Sequence, residues 1–262
     1  MRIDAISLRN FFFFTIFLLL SFWFFPLSSP GDDSPPVIDF FTQANQEYVN
    51  GKYEDAISLY KEMISSGKTP PEVYYNLGNA YARTGSLGRA ILNYERARRQ
   101  HPRDGDVLNN LKHAKSLLTY RVEDKRNPFV KGVEKTLGYF SNSEIALAGA
   151  FFYTLWIFSF LIQLIYRLQN RFKKIIQVFF VFAVIFLIPL VLKFTIFSYD
   201  EAIVVAKQAE VKYGPSRQDK TAFRLGEGLS VYVKEARGDW FRVSLSDGTR
   251  GWILHDSIEK VF

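Results

Sequence analysis

Two long apolar runs, Ile145 to Tyr166 and Ile175 to Phe197, lie almost back to back, and no other feature constrains the chain as tightly. Each is long enough to cross the ~30 Å hydrocarbon layer as an α-helix, which takes ~20 apolar residues. The stretch between them carries four cations (Arg167, Arg171, Lys173 and Lys174) and no acid. A short loop this basic is retained in the cytoplasm. The pattern predicts transmembrane helices over 145–166 and 175–197, joined by a cytoplasmic basic loop over 167–174. The chain on both sides of this hairpin then faces away from the cytoplasm.

In the segment 1–31, Arg2 and Arg9 precede an apolar run from Phe11 to Phe25, followed by Pro26, Ser28, Ser29, Pro30 and Gly31. This is the form of a secretory signal peptide, or of an N-terminal signal anchor if it stays uncleaved. Either delivers the next segment to the outer side. The formal net charge is +7, but 37–135 holds 16 Lys/Arg against 12 Asp/Glu, and 199–262 holds ten of each. The rest of the excess sits mostly beside the apolar runs, where basic residues signal topology, which argues against a nucleic-acid partner. The absence of cysteine excludes disulfides, thiolate chemistry and Cys-based metal sites.

Beyond the linker Gly31 to Pro36, residues 37–118 repeat with a period of about 34. Tyr74, Leu77, Gly78, Tyr81, Ala90, Tyr94, Ala97 and Pro102 fall at the spacings of the tetratricopeptide pattern, two antiparallel helices per repeat. An earlier copy, Phe41, Ala44, Tyr48, Gly51, Ala56 and Tyr60, reads as one residue short in its inter-helix turn. A third helix is expected from Asp104, with Leu108 and Leu111 on its packing face, as a terminal cap. So short an array is near the lower limit of stability and is expected to lean on the membrane or a partner. The first helix of each such repeat lines a concave surface. Tyr75, Asn79 and Arg83 share one face there, and Asn109 and His113 take the equivalent face of the third helix, giving a candidate groove for a protein partner. A stripe on the other helix, Arg89, Arg96, Arg99 and Arg103, reads as a solvated convex face.

The linker 119–143 contains Phe129, Val133, Leu137 and Phe140 at helical spacing, with Lys131, Glu134 and Lys135 between them, the pattern of an amphipathic helix at a bilayer surface. Ser141 to Glu144 has the form of a capping box opening the first membrane helix. The polar residues of that helix, Thr154, Ser159 and Gln163, are not ionisable and offer no proton path. Lys193 in the second is expected to snorkel toward the headgroups, and Pro189 to kink it.

From 199 to 262 the pattern changes to short strands, expected at Ala202–Ala206, Glu210–Tyr213, Leu229–Glu235, Trp240–Leu245 and Arg250–Leu254. Five strands of this size suit a small barrel whose closure removes exposed edges. The run Val211 to Ser216, then Gly228, Asp239 to Val243, Asp247-Gly248 and Gly251-Trp252-Ile253 resembles bacterial SH3-like domains, with Lys212 where that family usually has Arg. The resemblance implies a candidate ligand surface at Tyr213, Trp240 and Trp252, facing protein segments or cell-wall peptides; the alternative is that both tryptophans are half-buried packing residues.

The expected fold class is therefore multi-domain: an α-helical tetratricopeptide solenoid, a two-helix transmembrane hairpin and a C-terminal all-β SH3-like barrel. This order resembles the BatE membrane proteins of bacterial Bat aerotolerance operons. The resemblance implies partners among von Willebrand A-domain membrane proteins and a MoxR-type ATPase, in stress tolerance or envelope integrity. The three histidines, His101, His113 and His255, are scattered, and no phosphate loop or paired metal ligands occur. The expectation is a non-enzymatic scaffold with no cofactor in the bacterial inner membrane, contacting lipid, with both modules on the periplasmic side. A peptidoglycan-binding sensor acting through the SH3-like domain is the alternative.

Overall fold

The computed structural model describes residues 37–67, 69–166, 170–195 and 200–262. The expected signal segment 1–31, the linker after it, Arg167 and the side chain of Lys193 lie outside the described residues. Two compact units result, one formed by 36–150 with 184–262 and the other containing 151–183.

In the first unit, the repeat region folds as α1 (Val37–Val49), α2 (Tyr53–Ser65), α3 (Pro71–Arg83), α4 (Leu87–Gln100) and α5 (Gly105–Ser116). The period is kept without a deletion. Gly51 and Gly85, both at positive φ (78° and 74°), end α1 and α3 in the same way. The amide of Lys52 donates to Glu47 O and that of Gly51 to Tyr48 O; the amides of Ser86 and Gly85 repeat this with Tyr81 O and Ala82 O. This is the Schellman arrangement, which needs a left-handed residue at its centre. The expected one-residue shortfall in the first turn is thus corrected: Tyr48 sits one position past the slot that Tyr81 fills, and Glu47 occupies that slot. In α5 it is Val107 and Leu111 that are buried, 3% and 5% exposed, whereas Leu108 is 40% exposed, contrary to expectation. Val107 is the counterpart of Val73, and no further repeat helix covers the next position.

A second helical pair, α7 (Asn142–Tyr166) and α8 (Asn170–Thr195), is preceded by α6 (Pro128–Gly138). The capping box forms reciprocally: Ser141 N donates to Glu144 Oε2 at 2.8 Å and Glu144 N to Ser141 Oγ at 3.1 Å. Within the unit containing 151–183, Phe152 stacks on Phe182 at 5.0 Å and Trp156 meets Phe180 at 5.3 Å. A step forward on α7 is matched by a step back on α8, so the two helices run antiparallel. Asn142–Gln163 is long and apolar enough to cross a membrane, with mean hydropathy 2.1 and only 6% of its most apolar window buried. The apolar part of α8 at Ile176–Pro189 is shorter. Arg171, Lys173 and Lys174 lie in the first turns of α8 rather than in a loop, which shortens the expected connection.

The β-region contains seven strands among the described residues, two more than expected: β1 (Asp200–Val204), β2 (Gln208–Lys212), β3 (Thr221–Gly226), β4 (Ser230–Arg237), β5 (Trp240–Ser244), β6 (Arg250–Leu254) and β7 (Ile258–Lys260). All pairings are antiparallel, in the order β3-β2-β6-β5-β4-β1-β7. The ladder runs unbroken from β3 to β7, but no pairing among the described residues joins these two end strands, where closure was expected. Inward-facing Ala202, Val204, Val211, Val231, Val243 and Ile253 form the core of the sheet.

Both modules of the first unit share a second core. Ile203 and Val261, each 0% exposed, belong to the same buried cluster as Ile91 and Leu92 of α4. Strand β1 therefore buries both faces, which its uninterrupted apolar run Ala202–Ala206 requires. Within the expected arginine stripe, Arg96 and Arg99 of α4 are correspondingly not on a solvated face, whereas Arg89 and Arg103 stay exposed. The Arg96 guanidinium donates to Val261 O (2.9 Å) and Lys260 O (2.8 Å) and pairs with Glu259 (2.9 Å). Arg99 pairs with Glu201 at 2.6 Å, Arg103 pairs with Glu144, and Arg89 lies over the Tyr81 ring. Arg96 thus covers the carbonyls of an end strand, a role closure would otherwise have to fill. The short array leans on its own chain.

Gly88 is the closest approach. A Cβ there would stand 2.6 Å from Val204 O and 3.2 Å from Gly228 N, backbone that cannot yield cheaply. We expect Gly88→Val to separate the β-region from α4, giving two thermal transitions where the parent protein gives one and faster proteolysis of the 117–127 segment. An unchanged single transition would contradict the shared core.

Candidate functional site

The asparagines build the groove. Asn45 Oδ1 accepts from Tyr60 Oη (2.6 Å) and Asn76 Nδ2 (2.9 Å). One period later, Asn79 Oδ1 accepts from Tyr94 Oη (2.8 Å) and Asn110 Nδ2 (3.0 Å), and Asn110 also donates to Tyr75 Oη at 3.1 Å. Each set joins three consecutive helices through one carbonyl oxygen. A half-buried network of this kind sets helix spacing because each member left alone would lose its partner in a desolvated place. Burial pushes the Tyr60 hydroxyl up to about 12, and that of Tyr94 also upward, so both remain donors at neutral pH.

These helices enclose an open groove of about 760 Å³, walled by Tyr48, Tyr75, Asn79 and Arg83 on one side and by Asn110, His113, Ala114 and Leu117 on the other. Four of the five residues expected there, Tyr75, Asn79, Arg83 and His113, line it. Asn109 does not: it is exposed, and α5 turns its Asn110–His113–Ala114–Leu117 edge inward instead. The 34-residue recurrence of Asn45 with Asn79, Tyr60 with Tyr94 and Asn76 with Asn110 was the available signal.

Glu227, which no sequence pattern links to the repeats, reaches the groove from the β-region. Its Oε2 accepts from Gly88 N at 3.0 Å, at the start of α4. That helix has no side-chain cap from Ser86, so Glu227 supplies an anion where the helix dipole favours one. The Arg83 cation on one wall and the Glu227 carboxylate at the α4 terminus give the groove both signs of charge. It is suited to a polar, extended segment.

Beneath it, Glu95 is 3% exposed and pairs with Lys115 (2.6 Å) and Arg98 (2.7 Å), tying α4 to α5. Burial alone would lift its carboxyl, but the two cations outweigh burial and hold it down at about 2.

The expected ligand surface on the β-region is corrected. Trp240 and Trp252 are 7% and 8% exposed, packed into the sheet with Arg237 over the Trp252 ring, whereas Tyr213 is 74% exposed. The three form no common aromatic face. Lys212 Nζ donates to Asp219 O at 3.1 Å and to Arg217 O, closing the loop after Tyr213, so lysine serves here as a loop clamp.

Comparison with known proteins agrees with this division. A TPR repeat family model matches residues 44–85, a tetratricopeptide repeat model 71–104, and a bacterial SH3 domain model 205–259. The chain contains tetratricopeptide repeats and a bacterial SH3 domain. The former suggest protein–protein interaction and the latter cell-wall binding. Heat shock protein STI1 of Saccharomyces cerevisiae is 32% identical over 94 residues, 33% of this chain, which spans only 16% of that relative.

Glu95 also sets a pH dependence. An unfolded-state glutamate titrates near ~4.3, so the unfolded chain takes up the proton first. The stabilisation is complete at neutral pH and is lost as pH falls from about 5 toward 2. Glu95→Gln is expected to lower stability at pH 7 by about 1–3 kcal/mol. The gap from the parent protein should narrow below pH ~4 in chemical denaturation; a constant gap would contradict the assigned pairing.

Proposed function

We propose that this chain is a non-enzymatic scaffold anchored in the bacterial inner membrane, with its repeat groove holding an extended segment of a protein partner. The observation that carries the reading is the groove itself, with Tyr75, Asn79, Arg83 and His113 brought together on walls spaced by the asparagine networks. The membrane hairpin is supported by the apolar, largely uncovered α7 and by its antiparallel pairing with α8. It is supported again by the shared core of Ile91, Ile203 and Val261, because segments before and after α7–α8 that fold together must lie on one side of a bilayer. The cations of 167–174 favour a cytoplasmic turn, and so a periplasmic location for the folded body. The resemblance to BatE proteins makes von Willebrand A-domain membrane proteins the first partners to test, with a role in stress tolerance.

A second reading rests on Tyr213, exposed beside the clamped loop of the bacterial SH3 domain: the β-region contacts peptidoglycan while the repeats hold protein. Tethering the two sites in one body raises the local concentration of each ligand for the other.

Photo-crosslinking groups placed at Arg83 and His113 in cells should yield adducts with membrane proteins, and the same group at the exposed Glu62 should not. Equal patterns from all three positions would reject the groove. The detergent-solubilised full chain should pellet with purified peptidoglycan only if the second reading holds, and Tyr213→Ala should then reduce that pelleting.

A further inference from the structure

Helix α6 carries its charges on one side and leaves Phe129 and Val130 of its apolar side exposed, with Val133 and Leu137 half-buried. Lys131 Nζ donates to Asp124 O at 2.7 Å, and Glu134 accepts from Arg126 at 2.9 Å. Arg126 in turn pairs with Asp124 at 2.8 Å and lies over the Tyr232 ring of β4, while Lys125 N donates to Ser246 O. The charged side is therefore fastened to the β-region. On the other side Phe129 is 77% exposed, and Val130 and Tyr139 are 37% and 56% exposed. Asn127 caps the helix by accepting from Phe129 N at 2.8 Å, and Pro128 occupies its first turn, so Phe129 is held on a formed helix rather than a loose end.

We infer that this face of α6 is seated in the lipid headgroup region. The inference rests on the proposed membrane anchoring. The occupant is lipid because α6 leads directly into the apolar helix α7, which the Ser141–Glu144 capping box opens three positions past Gly138. The same end is tied to the repeats, since Arg103 pairs with Glu144 and lies over the Tyr139 ring. Along the chain the exposed residues of α6 are thus followed at once by the apolar helix. An amphipathic helix with aromatic and aliphatic residues on one side and cations flanking it is built for such an interface. The Arg126 network makes the seat stiff, because α6 cannot tilt without breaking ion pairs to the linker and its contact with Tyr232.

The native chain has no cysteine, so single reporters are clean. Phe129→Cys, Tyr153→Cys at mid-α7 and Lys207→Cys on the 83% exposed Lys207 are each labelled with a polarity-sensitive fluorophore. The full-length protein is reconstituted in phosphatidylethanolamine/phosphatidylglycerol vesicles containing lipids with quenchers at headgroup or acyl depth. Tyr153→Cys should be quenched from acyl depth and Phe129→Cys from headgroup depth, at least about three-fold more than Lys207→Cys. Val130→Cys provides a second reporter should Phe129→Cys loosen the helix. Quenching at Tyr153→Cys with none above the Lys207→Cys level at Phe129→Cys and Val130→Cys overturns the seat alone. Shielding of both α6 reporters from aqueous iodide without lipid quenching overturns it in favour of a protein cover. No lipid quenching at Tyr153→Cys overturns the membrane reading itself.

Discussion

The contact between α4 and β1 is the constraint on which the rest of the first unit depends. Helix α4 is buried nearly all round, with Ala90, Ile91, Leu92, Tyr94 and Ala97 no more than 3% exposed. Two neighbouring repeat helices can enclose only part of such a surface. The remainder is closed by Ile203 and Val261, and the polar groups at the rim are met by Arg96, Arg99 and Glu227. An array of two repeats and a cap helix, too short to bury itself, obtains its missing layer from the sheet.

That layer also shapes the groove. Asn79 and Asn110 set the distance between α3 and α5, and Glu95 locks α5 to α4, so both walls are referred to the helix the sheet holds. Glu227 enters the groove because the turn carrying it is pressed against Gly88. The binding surface is thus a property of both modules, and a partner bound there lies within reach of the β-region. A change in docking would be felt at the groove both through α4 and through Glu227.

The repeat was legible because its chemistry is local. Gly51 and Gly85 stop helices through hydrogen bonds spanning six residues, and Gly78 is needed where Tyr94 packs against its helix, so each leaves a mark at fixed spacing. The capping box at Ser141 was legible for the same reason. Strands β3 and β7 were not. Thr221–Gly226 carries Arg224 between Phe223 and Leu225, and Ile258–Lys260 is only three residues long, so only pairing with β2 and β1 identifies them. Asn109 was expected in the groove by counting one period from Tyr75, which assumes that the last helix is covered on the same faces as the one before it. The two tryptophans were candidates for a ligand surface because large aromatics beside turns suit one, but both are buried, as their alternative reading as packing residues has it.

By itself the sequence determined what is set within a few turns of backbone: the repeat period, the helix stops, the two apolar runs with cations between them, and the change to alternating strands. Only the tertiary structure decided that Arg96 and Arg99 of α4 face the sheet, that Glu227 caps a helix more than a hundred residues away, and that Phe129 and Val130 of α6 stay exposed. A charged or apolar stripe reads the same in sequence whether water, lipid or another part of the chain covers it. The difference lies in contacts between distant residues, which carry no fixed spacing.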